Sequence, residues 1–230
     1  MALFSSGPLP PDYAAIPSKW AYKIKRDEHE RLDRFKARVV AQGFRQVAGR
    51  DYDEVYAPLS KYATFRTMLS TVVEEDLELV HMDVHTAFLN GELENVVYVL
   101  LSPGYEANGK VWRLHKALYG PKQSARAWYS KLKSEPKQMG RTVTYSDESL
   151  YIEIEDQDDA KEKVFLLVYI DDLLIAGSYK SVARLRKLLN EKFKIHDLED
   201  IKHFLGIEVL RNHTHGKLWI GQQRHANNIN

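Results

Sequence analysis

Apolar positions recur along this chain with two periods, and the switches between them mark out helices and strands. Phe65, Met68, Leu69, Val72 and Val73 stand at i, i+3, i+4, i+7 and i+8, the spacing of a helix with one buried face, and Thr64 precedes them as a candidate N-cap. Val182, Leu185, Leu188, Leu189 and Phe193 predict a second amphipathic helix over 181–193, and Ala125, Trp128, Tyr129 and Leu132 a third over 124–139. Pro136 interrupts the third pattern. A proline inside a helix lacks the amide and clashes with the preceding turn, at about 3 kcal/mol, so the helix is expected to kink or stop there.

The strand signals are shorter. Residues 20–26 and 35–42 bracket the charged turn 27–34 and predict a β-hairpin arm. Residues 77–84 read as a buried strand ending near Asp83, while 164–170 and 173–176 are apolar runs separated only by Asp171 and Asp172, a hairpin with both carboxylates at its turn. Residues 203–210 and 217–220 read as short strands around the turn 212–216, and the proline-rich stretch 7–17 as an extended lead-in. Strands and helices alternate without regular βαβ spacing, which predicts an α+β fold, an antiparallel sheet packed on helices.

Composition narrows the chemistry. With 230 residues, 44% hydrophobic and 28% charged, the chain can bury one substantial core or two small subdomains, and it is neither disordered nor membrane-like. The lack of cysteine excludes a disulfide framework, a cysteine-ligated zinc and a thiol nucleophile, so any metal must take oxygen or imidazole ligands. Residues 1–11 lack the basic and apolar regions of a secretory signal, and the longest apolar run, 164–170, is too short to cross a bilayer. No membrane partner is expected, and the reading is a soluble intracellular protein.

The net charge of +1 conceals strong local charge. Residues 18–50 hold ten Lys/Arg against four acids and 110–141 nine against one, whereas 142–162 hold eight acids against a single lysine. Aromatic residues are interleaved in both basic blocks (Trp20, Tyr22 and Phe35; Trp112, Tyr119, Trp128 and Tyr129), a combination that suits a phosphate-backbone partner. On charge alone, solvated faces are the plainer reading.

Asp171 and Asp172 carry the sharpest chemical signal. Two adjacent carboxylates between strands this apolar cost several kcal/mol per uncompensated charge, and a pair of divalent cations compensates them. Hard oxygen ligands without cysteine point to Mg2+. A polar turn is the alternative for an Asp-Asp pair alone. Asp83 decides between them, because it is a second acid in an apolar strand, 88 residues before Asp171, and only a sheet that lays the two segments side by side unites them. Two metals about 3.5–4 Å apart activate a primer 3′-hydroxyl and stabilise the leaving pyrophosphate in phosphoryl transfer.

Tyr169-Ile170-Asp171-Asp172 resembles the YxDD box of reverse transcriptases, and Asp83 followed by Phe88 resembles their first palm motif. The copia-type retrotransposon branch is resembled further in Arg34-Phe35-Lys36-Ala37-Arg38, in the stretch from Asp51 to Pro58, in Ala87-Phe88-Leu89-Asn90-Gly91, in Leu118-Tyr119-Gly120 with Lys122-Gln123-Ser124, and in Phe204-Leu205-Gly206-Ile207-Glu208. These run in the family order and cover about 18–225.

The resemblance implies an RNA-directed DNA polymerase of right-hand architecture, with fingers and palm present and the thumb largely missing. It implies a lead-in over 1–17, fingers mainly over 18–60 and about 110–150, palm over about 61–110 and 150–210, and the start of a thumb or a truncated end over 211–230. Catalysis would fall to Asp83, Asp171 and Asp172, with two Mg2+ ions, or Mn2+ in their place, held by these residues and the Val84 carbonyl. Lys25, Lys36, Arg38, Phe88 and Gln123 would contact the nucleotide, Phe88 as the gate that crowds a ribose 2′-hydroxyl. Phe204, Leu205 and Gly206 would grip the primer. Implied partners are an RNA/DNA template-primer, deoxynucleoside triphosphates and the integrase and RNase H parts of a polyprotein, in the cytoplasm or virus-like particles, with access to the nucleus.

The pattern is broken at Pro121, where leucine is usual, at Pro136 and Arg141, where apolar residues are, and at Glu30, where the fingers turn has glycine. These departures favour a rival reading, a decayed element that retains nucleic-acid binding only. A metal-dependent nuclease using the same three acids lacks support from the surrounding motifs.

Overall fold

In a computed structural model the chain is described at residues 2–26, 31–102, 104–105, 109–138, 142–144, 146–157, 160–223 and 226. The departures at Glu30 and Arg141, and residues 27–30 of the hairpin turn, lie outside these. The protein is mixed α/β, with three α-helices among the described residues, and it divides into two compact units, 1–57 with 87–133 and 58–86 with 134–230. None of the helices among the described residues is long and apolar enough to cross a membrane.

The first unit is built on a four-stranded sheet in the order Phe4–Pro8, Lys110–Lys116, Glu92–Leu100, Ala15–Ile16, antiparallel except for the last pair. The lead-in thus supplies an edge strand, where a proline at the strand end costs no ladder bond. Ile16, Val97, Val99 and Leu114 form its core with Ala41 and Leu118. The predicted arm is present as Ser18–Arg26 paired with Leu32–Ala41. At its base two backbones cross in contact. Ala41 N donates to Tyr119 O at 2.9 Å, and a Cβ on Gly120, whose φ is +115°, would lie 1.9 Å from Ala41 O. Only glycine fits there.

The second unit holds a six-stranded antiparallel sheet in the order Ile195–Asp200, Glu78–Val84, Asp172–Gly177, Ala160–Tyr169, Leu150–Gln157, Thr142–Val143. One face, carrying Leu79, Leu167, Leu174 and Ala176, packs against Phe65, Met68, Leu69 and Val72 of the helix Tyr62–Glu74 and against Phe204, Ile207 and Val209. The helix Tyr179–Lys192 packs on three strands of the same sheet through Val182, Leu185 and Leu189, and Ser178 caps it by accepting from Ser181 N.

Four local expectations need correction. The first helix begins at Tyr62 with Lys61 as a cap residue that offers no side-chain bond, and Thr64 lies inside it. Its N-terminus is served from elsewhere, by the buried Asp147, whose Oδ2 accepts from Lys61 N at 3.0 Å and from Thr64 Oγ1 at 2.5 Å. The helix Ser124–Gln138 runs past Pro136. The 203–210 segment is a tight hairpin, His203–Phe204 paired with Ile207–Asn212, turning on Leu205 and Gly206 at φ +53° and +76°. Finally, Tyr169 pairs with Asp172, so the turn of the aspartate hairpin is Ile170–Asp171, and Asp172 is already in the strand.

Candidate active site

Sheet register unites the three acids. Asp172 stands directly opposite Asp83, and Val84 N donates to Asp171 O at 2.7 Å. Directly opposed residues of an antiparallel pair project to the same face, so the Asp83 and Asp172 carboxylates share one side of the sheet, with Asp171 on the adjoining turn. Ile170 holds that turn at φ +53°. A β-branched residue in this region costs about 1–3 kcal/mol, a strain that concentrates at functional turns.

Like charges directly opposite one another are unfavourable in a sheet. Part of the charge is met by His81, buried two residues before Asp83, whose Nε2 donates to Asp172 Oδ1 at 2.9 Å. The same imidazole meets the Phe204 ring edge-on at 5.7 Å, and Phe204 also packs against Phe65 at 4.9 Å and Tyr169 at 6.4 Å. The turn beyond Phe204 is held by Tyr62, which donates its hydroxyl to Leu205 O at 3.3 Å. Phe204 is therefore a core anchor, while Leu205 is half-buried and Gly206 exposed at the hairpin tip.

Among the described residues no group of three or more His, Asp or Glu is arranged to hold a metal ion by itself. The donor set does fit Mg2+, which is commonly held by one or two carboxylates together with substrate phosphates and water. Opposed carboxylates such as Asp83 and Asp172 are a place where a hard divalent cation lowers the energy.

The residues expected at the nucleotide lie in the first unit. On the arm, Lys25 stands opposite Arg34, Lys36 opposite Lys23 and Arg38 opposite Ala21, and all three expected contacts are half-buried. The Arg38 guanidinium lies 4.7 Å from the centre of the Tyr119 ring, and the half-buried Phe88 meets that ring edge-on at 4.7 Å. Tyr119 thus joins two of the expected contacts. Gln123 is buried; its Oε1 accepts from Gln46 Nε2 at 2.9 Å and its Nε2 donates to Asp51 O at 3.1 Å. It braces the 46–51 loop, and Lys122 N, donating to Gln46 Oε1 at 2.8 Å, completes the knot beside Pro121.

Two contributors escaped the sequence reading. His81 could have been found, since period two places it on the same face as Asp83. Tyr119 carried no signal of its own beyond its place in a motif.

Residues 3–229 match the family described as reverse transcriptase (RNA-dependent DNA polymerase). The chain is 38% identical over 225 residues to the retrovirus-related Pol polyprotein from transposon TNT 1-94 of Nicotiana tabacum, an alignment that covers 96% of this chain and 17% of the relative. It is 35% identical over 223 residues to that of transposon RE1 of Arabidopsis thaliana, covering 95% and 15%, and 34% identical over 208 residues to that of transposon RE2 of the same plant, covering 89% and 14%. The chain belongs to the reverse transcriptase family, in the form carried by copia-type transposons. It spans about one sixth of the length of these polyproteins.

Proposed function

We propose that this chain is the nucleotide-adding core of an RNA-directed DNA polymerase. Its fingers lie mainly over 18–60 and about 110–150 and its palm over about 61–110 and 150–210. The observation that carries the reading is the register that sets Asp83 opposite Asp172, with Asp171 on the strained turn that follows Tyr169.

Asp83 and Asp171 would hold two Mg2+ ions, or Mn2+, with help from the Val84 carbonyl; when bound, such ions lower the pKa of a primer 3′-hydroxyl and neutralise charge on the transferred phosphoryl group. The protein supplies the rest. Asp172, held by His81, sets the charge of the site beside the other two acids. Lys25, Lys36 and Arg38 form a cationic surface for the triphosphate of a deoxynucleotide, and Phe88, propped by Tyr119, crowds the ribose 2′ position. The turn Leu205–Gly206 supports the primer end, and Gln123 acts through the loop it braces. The basic arm suits the RNA/DNA template-primer, and integrase and RNase H parts would lie elsewhere in a polyprotein.

Asp171→Asn removes a metal ligand and none of the basic residues, so nucleotide incorporation should disappear while template-primer binding persists. Undiminished extension by that variant would overturn the assignment.

A further inference from the structure

Beyond the acids, the same face of the second unit's sheet carries two imidazoles. On Glu78–Val84, Leu79, His81 and Asp83 share the face that packs on the first helix, and period two continues it to His85. His196, on the edge strand Ile195–Asp200, stands directly opposite Asp83 on the flank away from Asp172, and so projects to that face as well. The two rings meet there edge-on, with centres 5.6 Å apart. Both residues are exposed, so this is not a core contact. His85 is also held in a form that binds a metal. Thr86 donates its hydroxyl to His85 O at 2.7 Å, and the same hydroxyl oxygen lies 3.3 Å from His85 Nδ1. A hydroxyl has one proton, so at Nδ1 it accepts, which makes Nδ1 the N–H nitrogen and leaves the Nε2 lone pair open. Metal-ligating histidines are held in this way, by a hydrogen bond at the other ring nitrogen. His196 makes no hydrogen bond among the described residues and can turn either nitrogen toward an ion.

We infer that His85 and His196 form a site for one divalent transition-metal ion of the zinc class, separate from the three acids. Imidazole suits zinc, nickel and copper, whereas Mg2+ prefers oxygen. With zinc–nitrogen bonds of about 2.0–2.1 Å and a tetrahedral angle between them, two imidazole centres stand about 5 Å apart, close to the spacing of these rings. Asp83, opposite His196, adds negative charge that favours a dication. Two protein ligands are fewer than a structural zinc takes, so water completes the coordination and the ion is exchangeable. When bound, it clips the edge strand Ile195–Asp200 onto Glu78–Val84 at the level of Asp83.

Zinc binding is measured on the whole chain by titration calorimetry with Zn2+ in excess Mg2+, which competes for the carboxylates and leaves the imidazoles to zinc. His85→Ala and His196→Ala should each weaken zinc binding by more than about tenfold, since losing even an outer-shell partner of a metal costs about 10–100-fold. The double variant should lose little more than either single one, because either change dismantles the pair. Zn2+ should also raise the unfolding temperature of the intact chain and of neither variant. His196→Gln, which keeps an exposed polar side chain without the imidazole, repeats the test if an alanine variant folds poorly. Zinc affinity unchanged in the variants, or two losses that simply add, would overturn the inference and leave the ring contact as surface packing. No nucleotide enters these measurements, so a chain that binds zinc through both imidazoles yet extends no primer would count against the polymerase reading alone.

Discussion

Replacing His81 by leucine separates the charge of the site from the stability of the core. The imidazole is 10% exposed, donates to Asp172 Oδ1 at 2.9 Å and packs on Phe204. A hydrogen bond to a charged acceptor contributes about 1.5–3 kcal/mol. Asp172 is 39% exposed and regains water when the bond is lost, which brings the loss toward the low end. Leucine also suits the surrounding apolar cluster, so the net change in unfolding free energy should stay within about 1 kcal/mol. Catalysis should suffer more. Freed from His81, the Asp172 carboxylate is no longer held beside Asp83, and a displacement of about 1 Å in a catalytic constellation costs about a hundredfold in rate. Urea unfolding and single-nucleotide primer extension, with kcat and KM resolved, measure the two effects. His81→Gln, which retains an N–H donor, should recover part of the rate. A loss of stability near 3 kcal/mol with a proportionate fall in activity, or full activity in His81→Leu, would refute the positioning role.

Three further outcomes follow from particular contacts. Asp147→Ala strands the amide of Lys61 and the Ser149 amide and hydroxyl, and should cost about 3 kcal/mol by thermal unfolding. Burial raises the Asp147 pKa, but hydrogen bonds from Lys61, Ser149 and Thr64 outweigh it and hold the group below its ordinary value. Its contribution is therefore present above about pH 4 and lost as pH falls through the folded value, a fall that Asp147→Asn should flatten. Gly120→Ala should destabilise the first unit by more than about 3 kcal/mol, because its Cβ would lie 1.9 Å from Ala41 O; a fully stable variant would refute that backbone crossing. Phe88→Val should raise ribonucleotide use relative to deoxyribonucleotide use, and an unchanged ratio in an active variant would assign the ring to packing on Tyr119.

Much of the second unit is legible in the sequence, because its apolar runs are long and its acids interrupt them. Register is not. Whether Asp171 and Asp172 both occupy the turn depends on which residue pairs with Tyr169, and periodicity cannot distinguish a one-residue shift. The same difficulty hid the hairpin at Leu205–Gly206, whose glycine follows a leucine that must itself take positive φ. Strands Glu92–Leu100 and Lys110–Lys116 went unread although 96–100 is a β-branched and aromatic run. Contacts between distant segments, such as Asp147 at the first helix or Gln46 on Gln123, leave no local pattern.

The central claim is that this chain adds deoxynucleotides to a primer on an RNA template, using its own three acids. The most direct measurement is primer extension by the purified chain on an RNA template, with Mg2+ supplied or chelated, alongside Asp83→Asn and with template-primer binding measured on the same preparations. The account predicts extension by the intact chain that vanishes on chelation and in Asp83→Asn while binding persists. Retained binding with no incorporation by the intact chain would contradict it and identify the protein as a nucleic-acid-binding relic of its family.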